Sequence, residues 1–510
     1  MIARFVMQSE DIWNSESHGK HPHAFESITM ATPALPTKRI GLAYWMQEVL
    51  HAMDKVAENF DADAVHDLRT ALRRCRSIAD GMMVFDANPA WKKMKKAGKQ
   101  LFQSLGELRD THVLKDWIER LAPENDPAAA AMKTFLAGRE VELRVTAAAA
   151  LYQFDCSKWA EWARLLPGRV VRIPLESAAL GHLALERWQQ ARDLHRRALR
   201  NRTNVAFHEL RIGIKRFRYT AENFLPTLHE LWADDLKEVQ DALGDIHDLD
   251  VLWETTAKMK VFPDPESREA WRSRVQDERK RHLEKYRHKM VGEGSLWEIW
   301  RAALPGDDQA RTLGLQRLEI WASFLDPNVS HSRHVAELSM QFFDGLADQI
   351  PPGKRESHRS VLRAAALMHD VGYAKANRGH HKVSARMIGK IAAPPGWTAD
   401  EIHTVSMVAR YHRGALPSEK QESFGALPAS TQSLVKLLAG ILRLACACDR
   451  EPDARIQRVE VESWAPVLTV RAEGYAAATP LAEHLAAARH LLEIAYQRPV
   501  FILPAVSYTA

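Results

Sequence analysis

Cysteine is scarce in this chain. Cys75, Cys156, Cys446 and Cys448 are scattered over 510 residues, with no CxxC pair and no framework spacing. That excludes a disulfide scaffold and favours a reducing, cytoplasmic setting. Long apolar runs are missing too. None approaches the ~18 residues of a membrane span, so no membrane partner is expected. The opening stretch, MIARFVMQSEDIWNSESHGKHPHAFES, has no apolar segment or small-residue cleavage site and does not read as a signal peptide. Gly and Pro number 24 each, which rules out collagen-like or low-complexity character. There is no Gly-rich phosphate loop. No helix-turn-helix or RNP-like signature is present, so nucleic acid is disfavoured as a partner.

What remains is ordinary globular composition, 46% hydrophobic and 26% charged, with a formal net charge of +5. The length calls for roughly two to four domains. So small a net charge does not name a ligand, and any polyanion argument must rest on clustering. Residues 1–38 are polar and aperiodic, a loose leader. From about Ile40 to Met290 the pattern is helical, with breaks near 88–91, 166–170 and 262–267. A Pro-Gly-Asp-Asp breaker at 305–308 marks a boundary, and a second helical block runs from Arg311 to about Asp449. Arg458 to Ala472 alternates like a small β-hairpin, and a helix is expected over Pro480–Arg498.

The first block repeats itself. His66, Arg69, Arg73 and Arg76 recur with identical spacing as His208, Arg211, Lys215 and Arg218. Leu105-Gly106-Glu107-Leu108-Arg109-Asp110 recurs as Leu243-Gly244-Asp245-Ile246-His247-Asp248, and Lys99 and Lys237 share an offset before these segments. On a helix, i, i+3, i+7 and i+10 fall in a stripe roughly 80° wide. Val65, Leu68, Leu72 and Cys75 form an adjoining apolar stripe, as do Phe207, Leu210, Ile214 and Phe217. Each helix should therefore pack one side on a core and carry a cationic ridge beside it. Lys92, Lys93, Lys95, Lys96 and Lys99 add a second basic cluster. Most basic runs on helices are merely solvated, but duplication with a leading histidine argues against that. Acids on the same face are too few to neutralise the ridge. Guanidinium groups hold phosphate oxygens bidentately, and interleaved aromatics are too few for base stacking.

The second block carries His331, His369-Asp370, His380-His381 and His412. Imidazole and carboxylate hold divalent metals, and a bound metal can activate water for attack on phosphorus. Each histidine alone is more often an ordinary core or surface residue. His-Asp after an apolar run, with the others in this order, is less ordinary.

HxxRxxxRRxR, repeated and followed by the LGxxRD-type segments, resembles the CHAD family over about residues 40–300. The resemblance implies two pseudo-symmetric four-helix bundles and a basic channel for inorganic polyphosphate. The binders would be His66, Arg69, Arg73, Arg76 and Lys99, with His208, Arg211, Lys215, Arg218 and Lys237. Two departures stand out: Lys215 in place of Arg73, and His247 in place of Arg109. GHHKxS, VARYHR and ILRLA…DR resemble the C-terminal HD domain of exopolyphosphatase/guanosine pentaphosphatase proteins over about 312–505. That match makes His331, His369 and Asp370 core ligands of a divalent metal of unknown identity, and His380 and His412 ligands of a second. Cys446 stands where that family has its closing aspartate, and Asp449, one turn later, would replace it only if the helix shifts. The actin-like ATPase-fold domains that carry catalysis in full-length exopolyphosphatases leave no trace in the sequence.

The expected fold is mostly all-α: a duplicated four-helix-bundle CHAD domain at 39–300 (repeats 42–165 and 175–300), then an HD domain at 311–505 with a small β-hairpin. The expected function is polyphosphate binding, with targeting to polyphosphate granules and a degenerate or weakly active HD domain. The alternative is a metal-dependent phosphohydrolase acting on polyphosphate or a nucleotide, with the basic half as tether. Homo-oligomerisation is left open.

Overall fold

The computed structural model describes residues 41–258, 261–346, 350–450, 456–464 and 466–505. The expected leader, 1–38, lies outside them. Helices α1 (Leu42–Asn59), α2 (Ala62–Met82), α3 (Pro89–Ser104), α4 (Gly106–Leu121) and α5 (Pro127–Gln153) lead to short α6 (Cys156–Leu165) and α7 (Pro167–Val170). Helices α8 (Ala178–Asn201), α9 (Asn204–Phe224), α10 (Pro226–Lys258) and α11 (Pro265–Met290) repeat that order and end in α12 (Leu296–Ala302). One difference separates the copies. The first breaks at Leu105 into α3 and α4, while α10 runs unbroken for 33 residues.

Two of the three sequence breaks are physical caps. Asn88 accepts a hydrogen bond from Ala90 N ahead of Pro89, and Asp264 does so from Ser267 N ahead of Pro265. Asp61 caps α2 and Thr203 caps α9, so His66 and His208 fall at the same step beyond their caps. The predicted apolar stripes are buried: Val65, Leu68, Leu72, Cys75, Leu210, Ile214 and Phe217 are 0% exposed. They join one core spanning both repeats, while the far ends of α4, α5, α10 and α11 close a smaller one around Trp117, Leu249 and Trp271.

The C-terminal region contains α13 (Asp307–Ser323), α14 (Val329–Gly345), α15 (Arg355–Met368), α16 (His380–Ile388), α17 (Ala399–Arg410), α18 (Glu422–Gly425), α19 (Ala429–Cys448), α20 (Pro480–Ala488) and α21 (His490–Tyr496). Strands β1 (Val459–Trp464) and β2 (Val467–Ala472) form the expected antiparallel hairpin. A third strand, β3 (Val500–Pro504), pairs parallel to β2, with Val470 opposite Ile502. This strand was not expected, because a five-residue apolar run has no readable period. The helix expected over Pro480–Arg498 is likewise two helices meeting at Arg489, whose guanidinium donates to Val500 O at 2.9 Å.

Two more expectations change. The second helical block begins at Asp307, capped by Gly306, rather than at Arg311. Helix α19 is long and apolar enough to cross a membrane, with a mean hydropathy of 1.4 in its best window. Lys436 and Arg443 interrupt the run, which hides it from a simple count. Here α19 is the central helix of the second core, packed by α14, α17, α20 and α21. Helix α13 touches both cores. Leu318 and Trp321 lie in the second, and Ile320 and Phe324 pack against the first. Arg317 on α13 donates to Glu186 on α8 at 2.5 Å.

Candidate functional site

Helices α2 and α9 pack against each other. At Gly81 an added Cβ would meet the Phe224 ring, so only hydrogen allows this approach. Nearby, Arg73 donates to Tyr219 Oη at 3.2 Å, Asn223 to Ser77 Oγ at 3.3 Å, and Arg74 pairs with Glu222. This contact turns the two cationic ridges toward one centre. Burial first, then the charges of Arg73, Arg109 and Arg211, lower Arg69 to about 10, against a pull from Asp110. Burial and the charges of Arg211, Arg73 and Arg69 push the Lys215 ammonium well below its usual value. Arg69, Arg73, Arg211 and Lys215, two from each repeat, therefore form one cluster.

Sequence reasoning missed that cluster's acidic members. Asp110 and Asp248, equivalent in the repeat, reach in from α4 and α10 and act on Arg69 and Arg211. Burial raises Asp248 to about 6, with Asp110 adding to the rise and Arg211 opposing it. The signal was in the duplicated LGELRD and LGDIHD segments, both of which end in aspartate. The histidine–arginine departure also acquires a place. His66 feels the Arg109 charge, while His208 Nδ1 lies 3.4 Å from His247 Nδ1. Burial first, then Arg211, His208 and Lys215, lower His247 to about 4. Phe102 is a further unforeseen member. Arg69, Arg76 and Arg73 lie 4.0, 5.0 and 5.9 Å from its ring, and Arg69 donates to its carbonyl at 2.8 Å.

Three ridge guanidiniums keep a donor in reserve. Among the described residues Arg76 Nε, Arg211 Nε and Arg218 Nε are buried without an acceptor. Buried donors are seldom left so. Lys99 is exposed on α3, next to Gly98, which packs on Arg76. Lys237 is placed differently. It lines a groove between α10 and α11 with Asp241, Asp245, His282 and Lys285. Lys95 pairs with Asp80, which also lies 3.9 Å from Arg216.

The histidines of the second half converge on Asp370. His380 Nε2 lies 3.2 Å and His412 Nε2 3.8 Å from Oδ1; His369 Nε2 lies 3.4 Å and His331 Nε2 3.9 Å from Oδ2. The opposite ring nitrogens are tied back. His369 Nδ1 donates to Ala366 O at 2.7 Å, His412 Nδ1 to Ala409 O at 2.8 Å, and His331 Nδ1 to Asp449 Oδ2 at 2.6 Å. A ring that donates through Nδ1 and stays neutral carries its lone pair on Nε2, the arrangement of metal-ligating histidine. Burial, above all, keeps His369 and His412 below the usual histidine value. Burial works against Asp370 ionising, but His369, His380 and His412 hold it well below the carboxylate range.

Two close groups of donors, His331–His369–Asp370 and Asp370–His380–His412, can each hold an ion. Asp370 Oδ1 and His380 Nε2 face each other without the alignment of a hydrogen bond. Both belong to one close group of donors, imidazole and carboxylate together, and that donor set fits a divalent transition metal. Cys446 lines the same cavity but belongs to neither group. Burial and the Asp370 charge raise its thiol well above the usual value, so it stays protonated. Asp449 does reach the site without a helix shift. It caps α19 at φ −114° and ψ 36°, outside helical values, and this redirects its side chain.

Residues 44–257 match the CHAD domain family. Residues 321–483 match Ppx/GppA phosphatase, domain III. The chain thus carries a CHAD match followed by a Ppx/GppA domain III match. No curated protein matches the chain. The cationic cluster lies within the CHAD match, and all five histidine-site residues lie within the Ppx/GppA match.

Proposed function

We propose that the chain binds inorganic polyphosphate through its CHAD half, taken as residues 39–300, and so associates with polyphosphate granules in the cytoplasm. The observation that carries this reading is the meeting of Arg69, Arg73, Arg211 and Lys215 from two repeats at one centre, with unpaired guanidinium N–H groups beside them. The three guanidiniums of Arg69, Arg73 and Arg211 alone outnumber the carboxylates of Asp110 and Asp248 at that centre. A flexible phosphate polymer can bridge donors from both repeats at once. His66, Arg76, Lys99, His208, Arg218 and Lys237 extend the binding set in this reading. The test is retention of the purified full chain on a long-chain polyphosphate matrix against increasing salt. Removing charge at Arg69, Arg73, Arg211 and Lys215 together should move elution to much lower salt. Elution like that of the unaltered chain would reject the channel.

A second reading, favoured by the convergence on Asp370, is that residues 311–505 form a metal-dependent phosphohydrolase acting on polyphosphate or a nucleotide. His331, His369, Asp370, His380 and His412 would hold the metal. A bound divalent cation would supply an acidified water and a polarised phosphoryl oxygen. The chain's own contribution is to orient the imidazoles through carbonyls and Asp449, and to keep Asp370 ionised. Phosphate release that disappears in His369→Ala and Asp370→Ala supports this reading. Metal analysis finding well under one ion per chain rejects it.

A further inference from the structure

The Asp370 site opens into a cavity of about 540 Å³ whose lining includes polar residues that neither reading uses, among them Tyr373, Arg413, Arg443, Arg450 and His484. Its charge is lopsided. Three arginines face one carboxylate, Asp370. The occupant should be an anion.

The arginines divide the work. Arg443, on α19, is committed to backbone: it donates to Tyr411 O at 2.6 Å, Gly414 O at 2.8 Å and Ala415 O at 3.0 Å. It thereby pins the loop that follows α17 and carries His412 and Arg413. Gly414 takes φ +77° there, close against His381, a turn that an L side chain would strain. Arg413 projects from this pinned backbone with its side chain exposed, and is not spent on an acid. Among the described residues it has no carboxylate partner, and the phenol of Tyr373 is its neighbour. Tyr373 in turn stacks on His380 at 3.8 Å. Arg450 lines the same cavity just beyond α19, and His484 reaches it from α20. Arg413 and Arg450 are both exposed, and a guanidinium carried on a pinned loop beside the Asp370 cluster can hold the oxygens of a phosphoryl group bidentately.

We propose that this cavity receives a terminal phosphoryl group, with Arg413 and Arg450 holding its oxygens beside the Asp370 cluster. The proposal rests on the metal-site reading for the cluster itself, while anion capture stands on the arginine wall. A chain end of polyphosphate and the γ-phosphate of a nucleotide share this chemistry.

The test loads the full chain with Mn²⁺ and follows 31P relaxation of inorganic phosphate, tripolyphosphate and a nucleoside triphosphate. Phosphate held on the wall should be strongly relaxed, the end phosphorus of tripolyphosphate more than the middle one. If only the nucleotide responds, the end group is a nucleotide's; if tripolyphosphate responds, the wall takes a polymer end. Arg413→Ala and Arg450→Ala should each weaken the anion about tenfold or more while Mn²⁺ content is unchanged. Equal relaxation in wild type and both variants overturns the proposal. Should Mn²⁺ fail to bind, the metal reading falls, and equilibrium dialysis of metal-free chain with labelled phosphate decides the wall. One phosphate site lost in Arg413→Ala sustains it, and identical site numbers overturn it.

Discussion

Asp449 grips His331 through the ring nitrogen that points away from Asp370, Oδ2 to Nδ1 at 2.6 Å. The carboxylate absent at position 446 is thus answered by one that orients a ligand instead of binding the ion. Asp449→Asn and Asp449→Ala should therefore weaken metal binding by about 10- to 100-fold without abolishing it. Asp370→Asn should abolish it. Titration of the apo chain with Zn²⁺ or Mn²⁺ checks both, and an unchanged affinity in Asp449→Ala would make that aspartate a bystander.

Of the predicted lysine contacts, Lys215 and Lys237 should not weigh equally. Lys215→Ala removes a cation from the meeting point of both repeats, whereas Lys237→Ala alters a groove lined by Asp241 and Asp245. We expect the salt needed to elute from polyphosphate to drop clearly for Lys215→Ala and little for Lys237→Ala. A larger drop for Lys237→Ala would relocate the channel.

Polyphosphate binding should take up protons. In the free chain His66, His208 and His247 are lowered by burial and then by adjacent cations, His247 to about 4. A bound polyanion reverses the charge contribution and raises them; it also raises Asp110 and Asp248, which face the same centre. Groups that titrate higher when bound make affinity rise as pH falls, from near neutrality toward about 4. The ligand-free fold carries the opposite dependence from the histidines. Their lowered values mean that stability is complete above the unfolded value and declines as pH falls toward about 4, with Asp248 partly compensating. Calorimetry in buffers of different ionisation enthalpy at pH 6 measures the uptake, and proton release on binding would contradict it.

Gly81→Ala should force α2 and α9 apart, because the Phe224 ring it would meet is itself buried. Overpacking of this kind costs about 1–3 kcal/mol. Thermal denaturation should show the loss, and polyphosphate retention should fall with it. A variant as stable as wild type would mean that the helices accommodate the methyl.

Much of this was readable in the chain. The duplicated histidine–arginine spacing located two equivalent helices, and the apolar stripe beside it named the residues that are buried. The breaks near 88–91 and 262–267 fell where Asn88 and Asp264 cap helices, because capping is local chemistry. What escaped depended on distant partners. Asp110 and Asp248 look like ordinary helix-surface acids until α4 and α10 bring them under the arginines. Asp449 could not be placed by helical periodicity, since the helix ends one residue before it. Strand β3 needed β2 to exist first. Lys237 shares an offset with Lys99, but unbroken α10 and the broken pair α3–α4 present that offset differently.

Helix α13 bears on how the molecule can be dissected. Phe324 sits under the guanidiniums of Arg169 and Arg172, 5.2 and 4.1 Å from its ring, and Arg172 donates to Ser323 O at 3.0 Å. A fragment ending at Pro305 would strip this cover from the amino-terminal bundle and strand Glu186, and the complementary fragment would expose an aromatic to water. Scissors placed at the most obvious seam in the sequence would wound both pieces, so activity lost on truncation there says nothing about which piece owned it.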